Sequence, residues 1–485
     1  GSNLTIPGFY NIDNITGTPT VSNSSFRSRS YAVFASVDLG YKDFLFATLT
    51  GRNDWTSRLN SDNNSFFYPS AGLSFIPTKA FPELKGDVLN YAKISANYAR
   101  VGNDRVGTYE INNTYNQVSG FPFGGLNSFG VDTSVADPNL VNEFITNKEI
   151  GLNLAFFKGD RVTLNASYYV TNNTDLVTNV TSSTASGLTQ STINIGETET
   201  KGYEIDLGLT PIRNDNFRWD LNFNIASDET IVKKVSDNTD EVSLGNGNAD
   251  VGIFATVGEA FPLIKGTGYQ RDPNGRVLID PSTGNPLKTA EFINLGVANP
   301  DYVLGLSTSL TYKGFRLAGV FDYRTGGQFW AGTKDWLSWS GHLVESAENG
   351  RRGFIFPNSA IETSPGVYAA NTNVVTGGTT YANYLDYFSN EYRDVSENFV
   401  LDATAFKVRE LSLSYSLNQK ALDAIGFSSV RVGVNARNPF VVLPKENRGY
   451  ADPEFSNTTG NAQGLSVSGQ YPATRSYGLS VNLTF

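Results

Sequence analysis

The segment Tyr477-Gly-Leu479-Ser-Val481-Asn-Leu483-Thr-Phe485 is apolar at every odd position from Tyr477 and small or polar at nearly every even one. Side chains of a β-strand point alternately to opposite faces, so this period of two describes a strand with one apolar and one polar face. The same alternation recurs upstream. Val162, Leu164, Ala166, Tyr168 and Val170 alternate with Arg161, Thr163, Asn165, Ser167 and Tyr169. Phe217, Trp219, Leu221, Phe223 and Ile225 alternate with Arg218, Asp220, Asn222 and Asn224. Val430, Val432, Val434 and Ala436 alternate with Arg431, Gly433, Asn435 and Arg437.

Thirteen such segments lie near 26–39, 42–55, 66–77, 89–101, 145–157, 161–171, 200–210, 217–228, 302–312, 315–326, 404–417, 428–438 and 475–485. Many reach ten residues. Ordinary globular strands average about 5–6, whereas a tilted membrane-spanning strand needs about 9–11. Short connections at Gly40–Lys42, Lys158–Asp160, Arg213–Asn216 and Lys313–Gly314, and slightly longer ones near 78–88 and 418–427, fall between long ones at 103–144, 172–199, 229–301, 327–403 and 439–474; from residue 89 onward short and long alternate without exception, while the early connection at 56–65 is of middling length. Transmembrane barrels show this asymmetry of short periplasmic turns and long extracellular loops. The fold class expected is therefore all-β, a transmembrane antiparallel barrel. Within 404–417 the apolar phase moves from even (Phe406, Val408) to odd (Leu411, Leu413, Tyr415) across Arg409-Glu410, which predicts a β-bulge. Segment 42–55 is apolar on both faces near Phe44–Leu49, so its outward face stays unassigned.

Composition agrees. Of the 485 residues 13% are aromatic and only 17% charged, against roughly 25% charged in globular domains. The net charge of -10 and the lack of any basic run argue against nucleic acid as a partner. Without cysteine there is no disulfide, thiolate metal site or cysteine nucleophile. No stretch of about 18 apolar residues forms a transmembrane helix. No signal peptide and no methionine are present, so a processed product or fragment is expected. Bacterial barrels have even strand numbers, so an odd number of strands, with whatever fills the lumen, is expected upstream.

Several stretches resemble a known family in the right order. Phe44-Leu-Phe-Ala-Thr-Leu-Thr-Gly-Arg52-Asn-Asp54-Trp-Thr-Ser57, Phe67-Tyr-Pro69-Ser, Leu89 through Asn103, Asn194-Ile-Gly196 with Lys201-Gly202-Tyr-Glu204, Phe406-Lys-Val-Arg409, Asn435-Ala-Arg-Asn438-Pro-Phe440, Gly449-Tyr-Ala-Asp452-Pro453-Glu454 and Arg475 through Phe485 resemble the C-terminal half of SusC-like TonB-dependent transporters of Bacteroidetes. The resemblance implies a 22-stranded outer-membrane barrel, with residues 1–485 as its C-terminal part and the plug domain and first strands lying elsewhere. It implies active import of a large nutrient, glycan or peptide, with TonB-derived energy reaching it through the plug, and a SusD-like surface lipoprotein as lid. A passive porin and a barrel-based surface adhesin remain the alternative readings.

Catalysis has little support. Glu204, Asp206 and Asp220 fall on polar strand faces, where lumen solvation and pairing with Arg218 or Arg161 suffice. No cofactor is implied. Asp272-Pro-Asn274-Gly275 and Asp280-Pro-Ser-Thr-Gly284 carry oxygen ligands, but no Glu closes the loop as an EF-hand requires; turns flanking a strand Val277–Ile279 are simpler. His342, the single histidine, reads as a loop residue. Trp330, Trp336 and Trp339, with Tyr323 and Phe329 nearby, are candidate substrate-binding aromatics, since exposed rings stack on sugars or anchor a lid.

Tyr477, Leu479, Val481, Leu483 and Phe485 form the expected closure strand, and the resemblance implies that the assembly machinery reads its aromatic end. Unpaired backbone groups cost several kcal/mol each in lipid. Deleting Ser476–Phe485 is therefore expected to abolish membrane assembly, and Phe485→Ala to slow it. Pulse-chase of the heat-modifiable folded form checks both.

Overall fold

A computed structural model describes residues 4–14, 16, 23–118, 121, 123–181, 184–236, 239–248, 250–375, 381–418, 422, 426–456, 460–471 and 473–485. Thirteen strands form one antiparallel sheet in strict sequence order: β1 Ser30–Tyr41, β2 Leu45–Thr56, β3 Ser65–Phe75, β4 Leu89–Asn103, β5 Glu143–Phe156, β6 Val162–Thr174, β7 Glu197–Arg213, β8 Phe217–Lys234, β9 Tyr302–Tyr312, β10 Phe315–Thr325, β11 Ala405–Ser416, β12 Ser429–Val442 and β13 Ser476–Thr484. Each strand answers one of the thirteen alternating segments. β7 and β8 outrun their segments at the upper end, where Glu197, Thr198, Glu229, Thr230, Lys233 and Lys234 interrupt the period-two signal. In an antiparallel meander, alternating short and long connections must fall on opposite ends. The short turns therefore share one edge and the long connections the other. Most of the 418–427 turn lies outside the described residues. Among the described residues no helix is long and apolar enough to cross a membrane.

Local chemistry makes the tight turns. Lys313 and Gly314 join β9 to β10 with φ of 45° and 92°, the paired positive values of a two-residue hairpin whose twist suits the flanking strands.

Register settles the faces. Leu164 pairs with Leu207 and Leu154, Leu207 with Phe223, Phe223 with Leu306, and Leu306 with Phe321. Across the far strands Leu317 pairs with Leu413, Leu413 with Val434 and Val434 with Leu479. Leu164, Tyr168, Ile205, Trp219, Phe223, Val432, Val481 and Leu483 all lie on this one apolar face. Glu204, Asp206, Arg431 and Arg437 lie on the other, while Arg161 sits in the turn just outside β6 and bonds the carbonyls of Pro211 and Arg213. Pairing also assigns β2: Leu45, Ala47 and Leu49 oppose Phe75, Leu73 and Ala71 on the outward face. Phe46 therefore points inward, over Gly40. The bulge falls where the phase shift predicts it: Val320 pairs with Glu410 but Phe321 with Val408, leaving Arg409 out of register.

Aromatic residues edge the apolar face at both ends, as the interfacial girdles of membrane barrels do. At the short-turn end Phe217–Tyr312, Phe315–Tyr415 and Phe427–Phe485 rings lie 6.3, 4.5 and 5.2 Å apart. At the other end stand Tyr98, Tyr168, Tyr203, Tyr323 and Phe406. The apolar run of β8 from Phe217 to Ile225 fits the ~9–11 residues that cross a bilayer, so the upper half of β8, Ala226 to Lys234, rises above the membrane.

Val432 and Arg431 are adjacent and point oppositely. Val432→Arg should cost about 2–4 kcal/mol, as midplane cations do on the lipid face. Arg431→Val, which loses one bond to Ser416 Oγ, should cost at most about 1 kcal/mol. Denaturant unfolding in liposomes measures both; the reverse order would place the register wrong by one.

Candidate functional site

The long connections do not hang as loose loops. They carry apolar residues of their own and fold into a cap over the long-loop end. Glu241–Asn248, Val251–Thr256, Leu263–Gly266 and Ile293–Val297 make a four-stranded sheet. Gln328–Ala331 pairs with Val400–Asp402 on one side and Leu465–Ser466 on the other, so two separate connections are stitched together. Val251, Ile253, Ile264, Trp330, Phe399 and Leu465 pack into one core drawn from three connections.

This cap rearranges the expected aromatic site. Trp330 is only 4% exposed and belongs to that core, and Phe329 is buried beside Leu401. Tyr323 lies on the lipid side of β10, opposite Phe406 and Leu304. Neither can join Trp336 and Trp339. Strand register, which the 327–403 stretch does not reveal, separates them. Trp336 and Trp339 are about half exposed on the helix Gly332–Trp339, with rings 4.7 Å apart. His342 is exposed and its Nδ1 meets Ser340 Oγ at 2.9 Å. Asp272 accepts from the backbone of Asn274 and Arg276 and from Arg276 Nε at 2.8 Å. Asp280 is engaged by Ser282. Both carboxylates thus stabilise turns around the short strand Val277–Leu278.

Between cap and wall, on the inner face, lies a cleft of about 450 Å³. The tops of β4 to β8 supply Asn103, Glu143, Asn173, Thr198, Thr230 and Lys234, and the cap supplies Phe261, Pro262, Asn461 and Gln463. Buried Glu143 accepts from Asn103 Nδ2 and from the Val177 N–H, each at 2.9 Å. Asn173 Nδ2 donates to Thr198 Oγ1 at 2.9 Å, and Thr200 and Thr230 hydroxyls meet at 2.7 Å. Rows of hydroxyls and amides beside apolar surface suit a polar chain molecule, offering reversible hydrogen bonds, with Glu143 and Lys234 as charged groups at the lining. Apart from Asn103, which ends the family-like stretch from Leu89, no quoted motif marks these residues in sequence; the signal is the polar phase of each strand continued above the membrane.

A second cluster ties the cap to the wall at the β11 bulge. Lys407 Nζ lies 2.6 Å from Asp452 and 2.7 Å from Glu454. Arg409 bonds Glu454 and lies 3.0 Å from Asp322, and Arg324 reaches Glu454 at 3.0 Å. The bulge lets Arg409 join Lys407 on the inner face, so two stretches far apart in sequence, Phe406–Arg409 and Asp452–Glu454, are partners. Burial favours the neutral Glu454 carboxyl, but hydrogen bonds from Arg409 and Lys407 outweigh it and hold its pKa down at about 2.

That depression makes docking of the 443–475 connection pH-dependent. The contribution is complete above Glu454's ordinary value of 4.5 and fades as pH falls from there through about 2. Glu454→Gln should weaken docking at neutral pH by about 1–3 kcal/mol and raise protease cleavage within 443–475. In this variant the Glu454 part of the acid sensitivity should vanish. Limited proteolysis across pH 7 to 2 reads both.

A family model described as TonB dependent receptor-like, beta-barrel, matches residues 2–438. TonB-dependent receptor P3 of Formosa agariphila is 24% identical, over 97% of this chain and 47% of that protein. TonB-dependent receptor SusC of Bacteroides thetaiotaomicron is 25% identical, over 91% of this chain and 42% of that protein. The chain spans about half the length of the curated relatives it matches. Among solved structures, the RagAB peptide transporter aligns with a TM-score of 0.75 at 17% identity, covering 99% of this chain and 50% of that one. The RagAB peptide importer in its open-open state aligns at 0.74, also at 17% identity, over 98% of this chain and 49% of that one. At this identity the likeness shows the fold.

Proposed function

The chain belongs to the TonB-dependent receptor-like β-barrel family of the outer membrane, and on that premise we propose that the protein imports a large nutrient, a glycan or a peptide, with energy from a TonB complex. In this reading residues 1–485 are the C-terminal part of a barrel of about 22 strands. The remaining strands and a lumen-filling plug come from the rest of the protein, and a SusD-like surface lipoprotein serves as lid. β1 and β13 each leave one edge unpaired among the described residues, which supports further strands on both sides.

The observation that carries the proposal is the cap. A passive porin keeps an aqueous channel open. Here three long connections share a hydrophobic core above a polar cleft on the inner face, an arrangement that holds a solute rather than passing it. The same cap leaves an adhesin as the weaker reading, because its polar cleft faces inward and not toward another cell. Trp336 and Trp339 remain the exposed aromatic candidates for capturing substrate or lid.

Active import makes uptake depend on the ion gradient across the inner membrane. Cells expressing the whole protein should lose accumulation of a fluorescent oligosaccharide or peptide library when a protonophore is added or TonB is deleted. Passive diffusion would leave uptake unchanged and sink the proposal. Substituting both Trp336 and Trp339 by Ala should lower capture about tenfold or more, given about 1 kcal/mol per lost stacking contact.

A further inference from the structure

The ladder between β8 and β9 stops well short of the top of β8. It runs from Phe217 opposite Tyr312 up to Ala226 opposite Val303. Lys313 donates to the Asn216 carbonyl across the same seam at 3.1 Å. Antiparallel residues alternate in the edge at which they bond, so even positions of β8 aim their backbone groups at β9. The next bonding pair in this register is Asp228 with Asp301, and like charges directly opposite destabilise a pair. Asp301 turns its N–H away instead and donates it to the Thr325 carbonyl at 2.9 Å. Higher up β8 is paired again, by the Phe261 N–H to the Thr230 carbonyl at 2.9 Å and by the Val232 N–H to the Glu259 carbonyl at 3.1 Å. Between these two points the seam stays open, above the membrane.

Three backbone groups face the opening: the N–H and C=O of Asp228 and the N–H of Thr230. Among the described residues none of the three has a backbone partner. A cavity of about 490 Å³ occupies the gap, lined by Asp228, Glu229, Asp301, Tyr302 and Gln328 among others and by no Lys or Arg. Glu229 lies opposite Lys201 on β7, but that lysine is held 3.0 Å from Glu199. Thr230, Phe261 and Asn299 line both this cavity and the polar cleft under the cap, so the two spaces adjoin.

An open strand edge is completed by another extended backbone, which brings donors and acceptors at the matching spacing, as peptides do when they add to a sheet. From Asp228 to Thr230 the edge covers two strand steps, about 7 Å, room for about three residues of an extended chain. A sugar chain carries hydroxyls but no such alternation of donor and acceptor along one edge. The carboxylates then select charge, since no cation of the wall answers them inside the cavity.

We propose that this seam binds a short extended stretch of peptide carrying a Lys or Arg side chain, with the peptide backbone on Asp228 and Thr230 and the cation beside Asp228 and Asp301. The assignment rests on the import reading above and narrows its substrate to basic peptides, because the seam continues the cleft in which the solute is held. A neutral peptide would gain only the backbone bonds, and a free cation only the carboxylates.

Fluorescence anisotropy of the whole protein in mild detergent tests this with a labelled, end-blocked pentapeptide of one central lysine among alanines. Its norleucine analogue removes the charge, and its form N-methylated on both sides of the lysine removes the backbone donors with the protein unchanged. A neutral glucose oligomer serves as competitor. The lysine peptide should bind about fivefold or more tighter than the norleucine form, as expected of partly exposed ion pairs, and by a similar factor tighter than the N-methylated form. The glucose oligomer should not displace it. Asp228→Asn combined with Asp301→Asn should abolish the preference for lysine over norleucine, and heat-modifiability confirms that this variant folds. Equal binding of the three peptides, displacement by the glucose oligomer, or a lysine preference that survives both substitutions overturns the assignment; the last is the result expected if a plug segment of the same protein fills the seam. Binding to the purified protein needs no energy source, so uptake that proves independent of TonB would sink the import reading without touching this measurement.

Discussion

Hydrocarbon offers no hydrogen bonds to the backbone, and everything in this molecule follows from that. A membrane-spanning strand must pair along both of its edges or leave groups unsatisfied at several kcal/mol each. Eleven of the thirteen strands meet the requirement in the simplest way, each pairing with both sequence neighbours, while β1 and β13 pair along one edge among the described residues. Once pairing is compulsory the side chains sort by parity alone. One parity meets lipid and becomes Leu, Val, Ile and aromatic; the other meets water and becomes Asn, Ser, Thr and charge. The β11 bulge is the exception that proves useful, because a single extra residue turns Arg409 inward without breaking the outward apolar row.

Above the membrane the constraint relaxes, and the chain behaves as a soluble protein. Water now competes for the backbone, so stability comes from buried apolar contacts. The cap gathers its core from three connections and fastens its last one to the wall through Lys407, Arg409 and Glu454. The polar cleft lies where these regimes meet. Its floor is strand register inherited from the barrel, and its roof is cap packing. A solute held there touches both. A movement of the cap would open the cleft without disturbing the wall.

Family membership and fold leave the substrate open for a physical reason. Specificity in such a cleft rests on which hydroxyls and amides converge, and they come from strand tops and loops that carry no shared motif. Asn173 and Thr198 look in sequence like any other polar position. The tryptophans looked more distinctive and misled in part: a Trp in a long connection is as useful to a core as to a ligand, and Trp330 serves the core.

The strands, their faces, the bulge and the side of each turn were legible in the sequence because a two-residue period is local and needs no partner to be seen. Where the period blurred, in Phe44–Leu49, only pairing with β3 could decide, since both parities were apolar. The cap was invisible because its order comes from contacts between residues such as Trp330 and Leu465, more than a hundred positions apart. The same holds for Lys407 with Glu454 and for Tyr323, which register sends to lipid and away from its sequence neighbours. What alternation encodes, one strand reveals by itself; what packing encodes, only the assembled chain can show, because no local stretch contains both halves of the contact.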